Sequence, residues 1–344
     1  MTTPRQKGYR VPAEWTPHEG SLVAWPTTTR REFWRGHVDA ARAAWADVVR
    51  AVTAFEPVLL VTEPGAGRNA ARIIGPTGQP VEVVEWPIDD SWTRDNGPIV
   101  AVDGAGRRVG LHFGFNAWGG KLAPWDDDAA LPERVLPHLG IDRWIAPMVL
   151  EGGSIALDGN GLLVTTERCL LNPNRNPHLD RGRIEQTLVE WLGVDRIVWL
   201  ADALTDDEGT DGHVDNVVAF TAPGRVLLQG CDDADDPDHA LAADNRRRLE
   251  VEGIDVTELR VLPRVECLGE VVEVPYLNFY VANGGVVVPV TGHAYDGEAL
   301  ATIAAAFPGR EVVGVPGEVI AYGGGGVHCV TQQIPAPPDT EETP

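Results

Sequence analysis

The sequence predicts an α/β protein assembled from one repeated unit, and three observations carry that expectation. Four times a short strand runs into a tight turn and back out as a strand, at DGAG (103–106), DGNG (158–161), TAPG (221–224) and ANGG (282–285). Gly, Asn and Asp tolerate the positive φ that such hairpin turns require. Each hairpin is followed by a helically patterned stretch and then by an apolar strand. Polar residues also gather ahead of the first three turns, with Asp95 in RDNGP, Glu151 in EGGS, and His213 and Asp215 in GHVDN. A further cluster, GGGGVHCVTQQ with Cys329, lies near the C-terminus.

Taken in order, the helical stretches are 131–139 before RWIAPMVL, 179–192 before RIVWLAD, 237–252 before DVTELRVL and 296–307 before REVVGV. Near the N-terminus, SLVAWP, the helix-like VDAARAAWADVVRAVTAF and PVLLVT repeat the same order without a hairpin partner. The segment GVHCVTQQI is expected to supply that partner and so close a ring of modules. Turn centres recur at roughly 55 to 65 residues, a period that suggests a ring or array. An ordinary α/β domain with common hairpins fits the same spacing. If the modules are equivalent, Asp95, Glu151, His213, Asp215 and Cys329 stand at equivalent strand ends and can converge.

Length and composition fit one large domain spanning 1–344, with an ordered core of about 9–335 and a proline-rich, acidic, frayed tail at 336–344. The 344 residues are 43% hydrophobic, and no composition break or long linker divides them. Nowhere is there a run of about 18 apolar residues for a membrane span. The start MTTPRQKGYR lacks the apolar segment of a signal peptide, so the expected location is the cytoplasm. The net charge of −23 disfavours nucleic acid and suits a small cationic partner, although acidic balance also serves solubility. A homo-oligomer is compatible with the sequence, which does not fix the assembly.

Cys169, Cys231, Cys267 and Cys329 are scattered without CxxC spacing, which points to neither a disulfide framework nor a zinc knuckle. The first three read as small core residues. Cys329 follows Gly323 to Gly326, Val327 and His328, and glycines let backbone approach a ligand closely, which suits a nucleophile. If this segment is a strand, His328 points away from Cys329 and is not its base. Strand alternation through GTDGHVDN would put Asp211, His213 and Asp215 on one face. Such a set could be a metal site, an acid/base centre or a cation pocket. Metal is disfavoured, because further His or Cys ligands at short spacing are missing.

Several carboxylates in one pocket repel one another unless a cation sits among them. A guanidinium is a flat cation that carboxylates grip bidentately in a defined plane. That grip would hold its carbon within reach of a thiolate, and the bound cation would favour the thiolate over the thiol.

The motifs VPAEWTPHEG, DDSWTRDNGP, FNAWGG, LEGGSIALDGNGLLVTTERCLLNPNRNPHL, GTDGHVDN and GGGGVHCVTQQIP, in this order from about Tyr9 to Pro335, resemble those of the agmatine deiminases in the bacterial agmatine and peptidylarginine deiminase family. The resemblance implies a five-bladed, pseudo-symmetric α/β propeller, or pentein, of ββαβ modules. It implies Cys329 as nucleophile and His213 as general acid/base. Asp95 and Asp215 would grip the guanidinium, and Glu151 would be the acid near the histidine. Trp92 and Trp118 would line the pocket, although core packing explains tryptophans equally well.

The reaction so implied needs neither metal nor cofactor: agmatine is hydrolysed to N-carbamoylputrescine and ammonia through a covalent adduct on Cys329. An arginine derivative or another ω-guanidino amine is the alternative substrate, and an amidinotransferase or a non-catalytic binding propeller are alternative roles. Two positions depart from the family. The acid often found four residues before the histidine, where it meets the distal amine, is replaced by Gly209, leaving Glu208 as the candidate contact. Gly326 replaces an Asn in the last motif.

Overall fold

The computed structural model describes residues 2–337. Of the expected frayed tail, residues 338–344 lie outside the described residues. Among the described residues, eighteen strands form five mixed sheets of one plan and a separate hairpin. The strands are β1 (His18–Ala24), β2 (Val58–Thr62), β3 (Val81–Glu85), β4 (Ile99–Val102), β5 (Arg108–Gly114), β6 (Asp142–Val149), β7 (Ile155–Leu157), β8 (Leu162–Thr166), β9 (Arg196–Leu200), β10 (Val218–Ala222), β11 (Arg225–Gln229) and β12 (Asp255–Leu259). They continue with β13 (Arg264–Cys267), β14 (Glu270–Glu273), β15 (Tyr280–Ala282), β16 (Gly285–Val290), β17 (Glu311–Pro316) and β18 (Gln332–Pro335).

In the units β4-β5-β6, β7-β8-β9, β10-β11-β12 and β15-β16-β17, the first pair is antiparallel and the second parallel. A crossover helix links the parallel pair each time: Leu131–His138, Arg181–Leu192, Asp238–Val251 and Asp296–Ala306. The patterned helices and strands thus form where the sequence places them, to within two or three residues. The middle strand is hydrogen-bonded on both sides and covered on both faces, which is why LLVTT and VLLVT are buried throughout. At the TAPG and ANGG turns, Gly224 (φ 68°) and Gly284 (φ 76°) adopt the left-handed backbone that reverses the chain.

The N-terminal unit closes as expected, since β18 pairs antiparallel with β1, which pairs parallel with β2. Helix Val38–Val52 makes the crossover, burying Ala41, Trp45, Val48, Val49 and Val52 against the sheet. Two features were not anticipated. Strand β3 extends this sheet after helix Gly67–Ile74, and hairpin β13-β14 is inserted into the fourth unit.

At the start of their units, Ile99, Ile155, Val218, Phe279 and Gln332 line one narrow cavity. Each of the five sheets therefore contributes its first strand, or the residue before it, to the same space.

Candidate active site

A short helical or turn segment precedes the first strand of each unit and carries the polar side chains. Asp95 stands on helix Thr93–Asn96 ahead of β4, Glu151 ahead of the single turn Gly152–Ser154 and β7, and Asp215 on the turn Val214–Asn216 ahead of β10. Cys329 lies in the turn before β18. In the fourth unit the same place is held by Asn278, which the sequence reading missed because YLNFY carries no charge and no known signature.

Asp95 and Asp215, together with His213, converge on Gly153. A methyl group there would come within 2.6 Å of His213 Nδ1, 2.9 Å of Asp215 Oδ2 and 3.0 Å of Asp95 Oδ1. The Gly153 N–H donates to Asp95 Oδ1 over 3.0 Å, and Trp118 Nε1 donates to Asp95 Oδ2 over 2.9 Å. His213 Nδ1 lies 3.7 Å from Asp95 Oδ1, and neither ring nitrogen has a hydrogen-bond partner among the described residues. Its backbone is fixed instead, with the N–H donating to Thr210 Oγ1 (3.0 Å) and Asp207 Oδ2 (3.2 Å). A buried imidazole with two open nitrogens is poised for a ligand that brings polar groups of its own.

Cys329 Sγ lies 3.6 Å from Asp215 Oδ2 and 3.2 Å from Asn278 Nδ2. It also lines a cavity of about 250 Å³ with Asp95, Trp92, Trp118, Lys121 and Tyr322. Trp92 and Trp118 serve both readings, since they belong to the first hydrophobic core and face this space. Ala117 (φ 52°) and Trp118 (φ 55°) are held in the left-handed region, a strain that turns the Trp118 indole onto Asp95.

The Asp95 and Asp215 carboxylates differ electrostatically. Burial pushes the Asp95 carboxyl above its ordinary range; Asp215 and Glu151 push the same way, against the pull of His213. Burial also raises Asp215, but His328, by hydrogen bond and charge, together with the charges of His213 and Arg94 outweighs it, so Asp215 is held below its ordinary value. Burial drives the Cys329 thiol well up, and the charges of Asp215 and Asp95 add to this. Burial and these two charges thus disfavour a thiolate at Cys329.

Two local expectations are corrected. The segment holding Asp211, His213 and Asp215 is not a strand: Asp211 (φ 63°) and Gly212 (φ 88°) bend it, and a helical turn follows. Asp211 consequently leaves the cluster and takes Arg175 Nη1 (2.5 Å) and Lys121 Nζ (2.8 Å). Likewise His328 and Cys329 sit in a turn, since the strand begins only at Gln332. His328 is therefore not turned away from the site. Its Nδ1 bonds Asp215 Oδ2 (2.8 Å) and its Nε2 bonds Glu14 Oε2 (2.9 Å), linking the VPAEW and HC motifs.

Glu151 is fully buried, and its Oε1 accepts Arg175 Nε over 2.6 Å. One donor atom each from Glu151, Cys169 and His213 lie within 4.8 Å of one another. Glu151 already holds a guanidinium and burial keeps the Cys169 thiol protonated, so this set is better suited to a hydrogen-bonded network than to an ion. Cys169 is therefore core, but core beside the chemistry. Glu208 is exposed, and its carbonyl rather than its carboxylate is engaged, by Lys121 Nζ. Gly209 lines the cavity, with its carbonyl also on Lys121 Nζ (3.1 Å).

No helix among the described residues is long and apolar enough to cross a membrane. Residues 10–335 match the model of the Porphyromonas-type peptidyl-arginine deiminase family. The agmatine deiminase of Pseudomonas aeruginosa strain UCBPP-PA14 is 41% identical, and that of Stutzerimonas stutzeri strain A1501 is 42% identical, each alignment covering 98% of both chains. Among solved structures, the agmatine deiminase of Enterococcus faecalis superposes with a TM-score of 0.91 at 33% identity over 98% of each chain. The C. jejuni agmatine deiminase with substrate bound superposes at 0.88 and 25% identity, over 96% of this chain and 97% of that one. With the motifs in order, the mixed α/β units in register and the family match running from the first unit to the last, the chain belongs to the Porphyromonas-type peptidyl-arginine deiminase family.

Proposed function

We propose that the chain is an agmatine deiminase, hydrolysing the guanidino group of agmatine to N-carbamoylputrescine and ammonia. The observation that carries this reading is the meeting of Asp95, His213 and Asp215 around Gly153, with the Cys329 sulfur 3.6 Å from Asp215. The five units are read as blades of a single-domain propeller, supported by the cavity to which each contributes its first-strand region.

In this mechanism Asp95 and Asp215 clamp the guanidinium, a cation at any physiological pH. Its charge offsets theirs, Cys329 passes its proton to His213, and the thiolate attacks the central carbon, forming a C–S bond. His213 delivers a proton to one terminal nitrogen as the C–N bond breaks, releasing ammonia. Water then attacks the S-linked amidine with His213 as base, the C–S bond breaks, and the ureido product leaves. Glu151, itself held by Arg175, sets a carboxylate oxygen within 4.8 Å of a His213 ring nitrogen and helps to position the ring. Trp92 and Trp118 flank the alkyl chain.

A second reading, a guanidino substrate lacking the distal amine, draws on one observation. The Lys121 ammonium already occupies the carbonyls of Glu208 and Gly209 and the Asp211 carboxylate on the cavity wall. Steady-state kinetics on agmatine, arginine and an alkylguanidine of equal length, read as ammonia and ureido product, tests both readings. Agmatine with the highest kcat/KM supports the first and the alkylguanidine the second. Cys329→Ser is expected to abolish turnover of all three while retaining the native circular dichroism spectrum. Turnover by that variant near the wild-type rate would remove Cys329 from the chemistry.

A further inference from the structure

We propose that Asn278 is a catalytic residue of this site, its carboxamide donating the hydrogen bond that stabilises the reacting sulfur of Cys329. The inference rests on the reading of Cys329 as nucleophile and adds a residue to it.

Asn278 is fully buried at the fourth of the five equivalent positions. Its neighbours fix which way round the amide lies. Oδ1 accepts two backbone N–H groups, from His328 (3.0 Å) and Cys329 (3.3 Å), and a flipped amide would set donors against donors. Nδ2 then meets Asn216 Oδ1 at 3.0 Å and Cys329 Sγ at 3.2 Å, and the sulfur, 3.4 Å from Oδ1, can donate to that oxygen only while it keeps its proton. One N–H thus goes to Asn216 and the other to the sulfur. Both adjoining charges, Asp215 and Asp95, repel a thiolate, and the burial of Cys329 leaves little water to solvate it. The Asn278 N–H is the side-chain donor recorded on that sulfur, and hydrogen bonds to an ionised acceptor are about twice as strong as neutral ones.

Gly326 belongs to the same device. A methyl group there would lie 2.4 Å from Asn278 Oδ1, so a side chain would push the carboxamide aside. Backbone conformation at Gly326 is not left-handed, so what a side chain would meet in this chain is Asn278 itself and not backbone strain.

The test is the pH profile of Cys329 alkylation by iodoacetamide, read by peptide mass spectrometry and free of any assumption about substrate. Asn278→Asp keeps the acceptor for the two N–H groups and replaces the donor facing the sulfur by an acceptor. Its alkylation rate at pH 7 is expected to fall roughly 10- to 100-fold, with the profile displaced to higher pH. Gly326→Ala, which retains Asn278 but displaces it, is expected to shift the profile in the same direction. Should the Asp variant fail to fold, Gly326→Ala carries the test. Wild-type alkylation profiles in the folded variants, whatever happens to kcat, would reduce Asn278 to a structural bracket and overturn the proposal. An unreactive Cys329 in the wild type at every pH, by contrast, would count against the proposed function itself.

Discussion

Replacement of Glu14 by Gln tests the electrostatics behind the pocket most directly. Burial raises the Glu14 carboxyl, but His328 and Arg94 outweigh that and bring it from 4.5 down to about 2. At about 1.36 kcal/mol per pH unit the difference is worth about 3 kcal/mol. Glu14 keeps 20% of its side chain exposed, so a loss of roughly 2 to 3 kcal/mol is expected for Gln. Gln still accepts from the Val281 N–H at the place of Oε1, while its amide NH2 replaces the Oε2 acceptor that faces His328 Nε2. The sign follows from linkage: a depressed carboxyl stabilises the fold above its ordinary value, and that stability is lost as pH falls toward 2. Urea midpoints of wild type and variant should therefore differ fully at pH 6 and by less than half as much at about pH 3. His328 works in the opposite window. Burial and Arg94 lower its pKa, but Glu14 and Asp215 raise it overall, so its contribution is full below its ordinary value and fades as pH rises through the elevated one. With Glu14 neutral, His328 deprotonates earlier on that climb, Asp215 is less well held, and KM for the guanidinium should begin rising at lower pH than in the wild type. Parallel stability curves across pH 3 to 6, or superimposed KM profiles, would refute the argument.

Gly153→Ala would drive a methyl group into the triangle of His213, Asp215 and Asp95; kcat/KM should fall at least about 100-fold, with little change in thermal midpoint. Arg175→Met leaves Glu151 as a buried unpaired charge and should destabilise by about 3 to 5 kcal/mol in urea, with partial recovery in the Arg175→Met, Glu151→Gln double variant. Lys121→Met frees the carbonyls of Glu208 and Gly209, so KM for agmatine should fall several-fold while that for an uncharged alkylguanidine stays constant. The His213→Ala variant should lose both ammonia release and adduct hydrolysis; rapid release with an accumulating adduct would confine His213 to the second step.

The units were legible because their signals are local. A Gly-bearing turn, an apolar middle strand and an amphipathic crossover announce themselves within a few residues, and helix Asp296–Ala306 begins where the pattern places it. The site was legible as a set of residue types but not as geometry. Alternation failed at Asp211 and Gly212 because two successive left-handed residues interrupt the extended chain, a signal that GTDG contained. Glu14 could not be assigned from sequence, since its partner His328 lies 314 residues away. Nor could Asn278, whose role comes from standing at the fourth equivalent position, not from any pattern around it. Strand β3 and hairpin β13-β14 escaped because they fall outside the repeated order.

The pairing of β18 with β1 also bears on how the molecule is made. Residues separated by some three hundred positions must meet before the first sheet gains its edge, and such closure is slow compared with the local hairpins. Until then β1 presents an open row of backbone groups, a template for wrong partners. The turn bearing Cys329 runs directly into β18 and is held beside it by the helix ahead of β4, with the Arg94 N–H donating to the Cys329 carbonyl and Thr93 Oγ1 to that of Val330. A nascent chain halted before Gln332 would carry four folded units and no organised nucleophile. Catalytic competence thus waits on the segment that closes the first sheet, and a chain lacking it would be silent instead of promiscuously reactive.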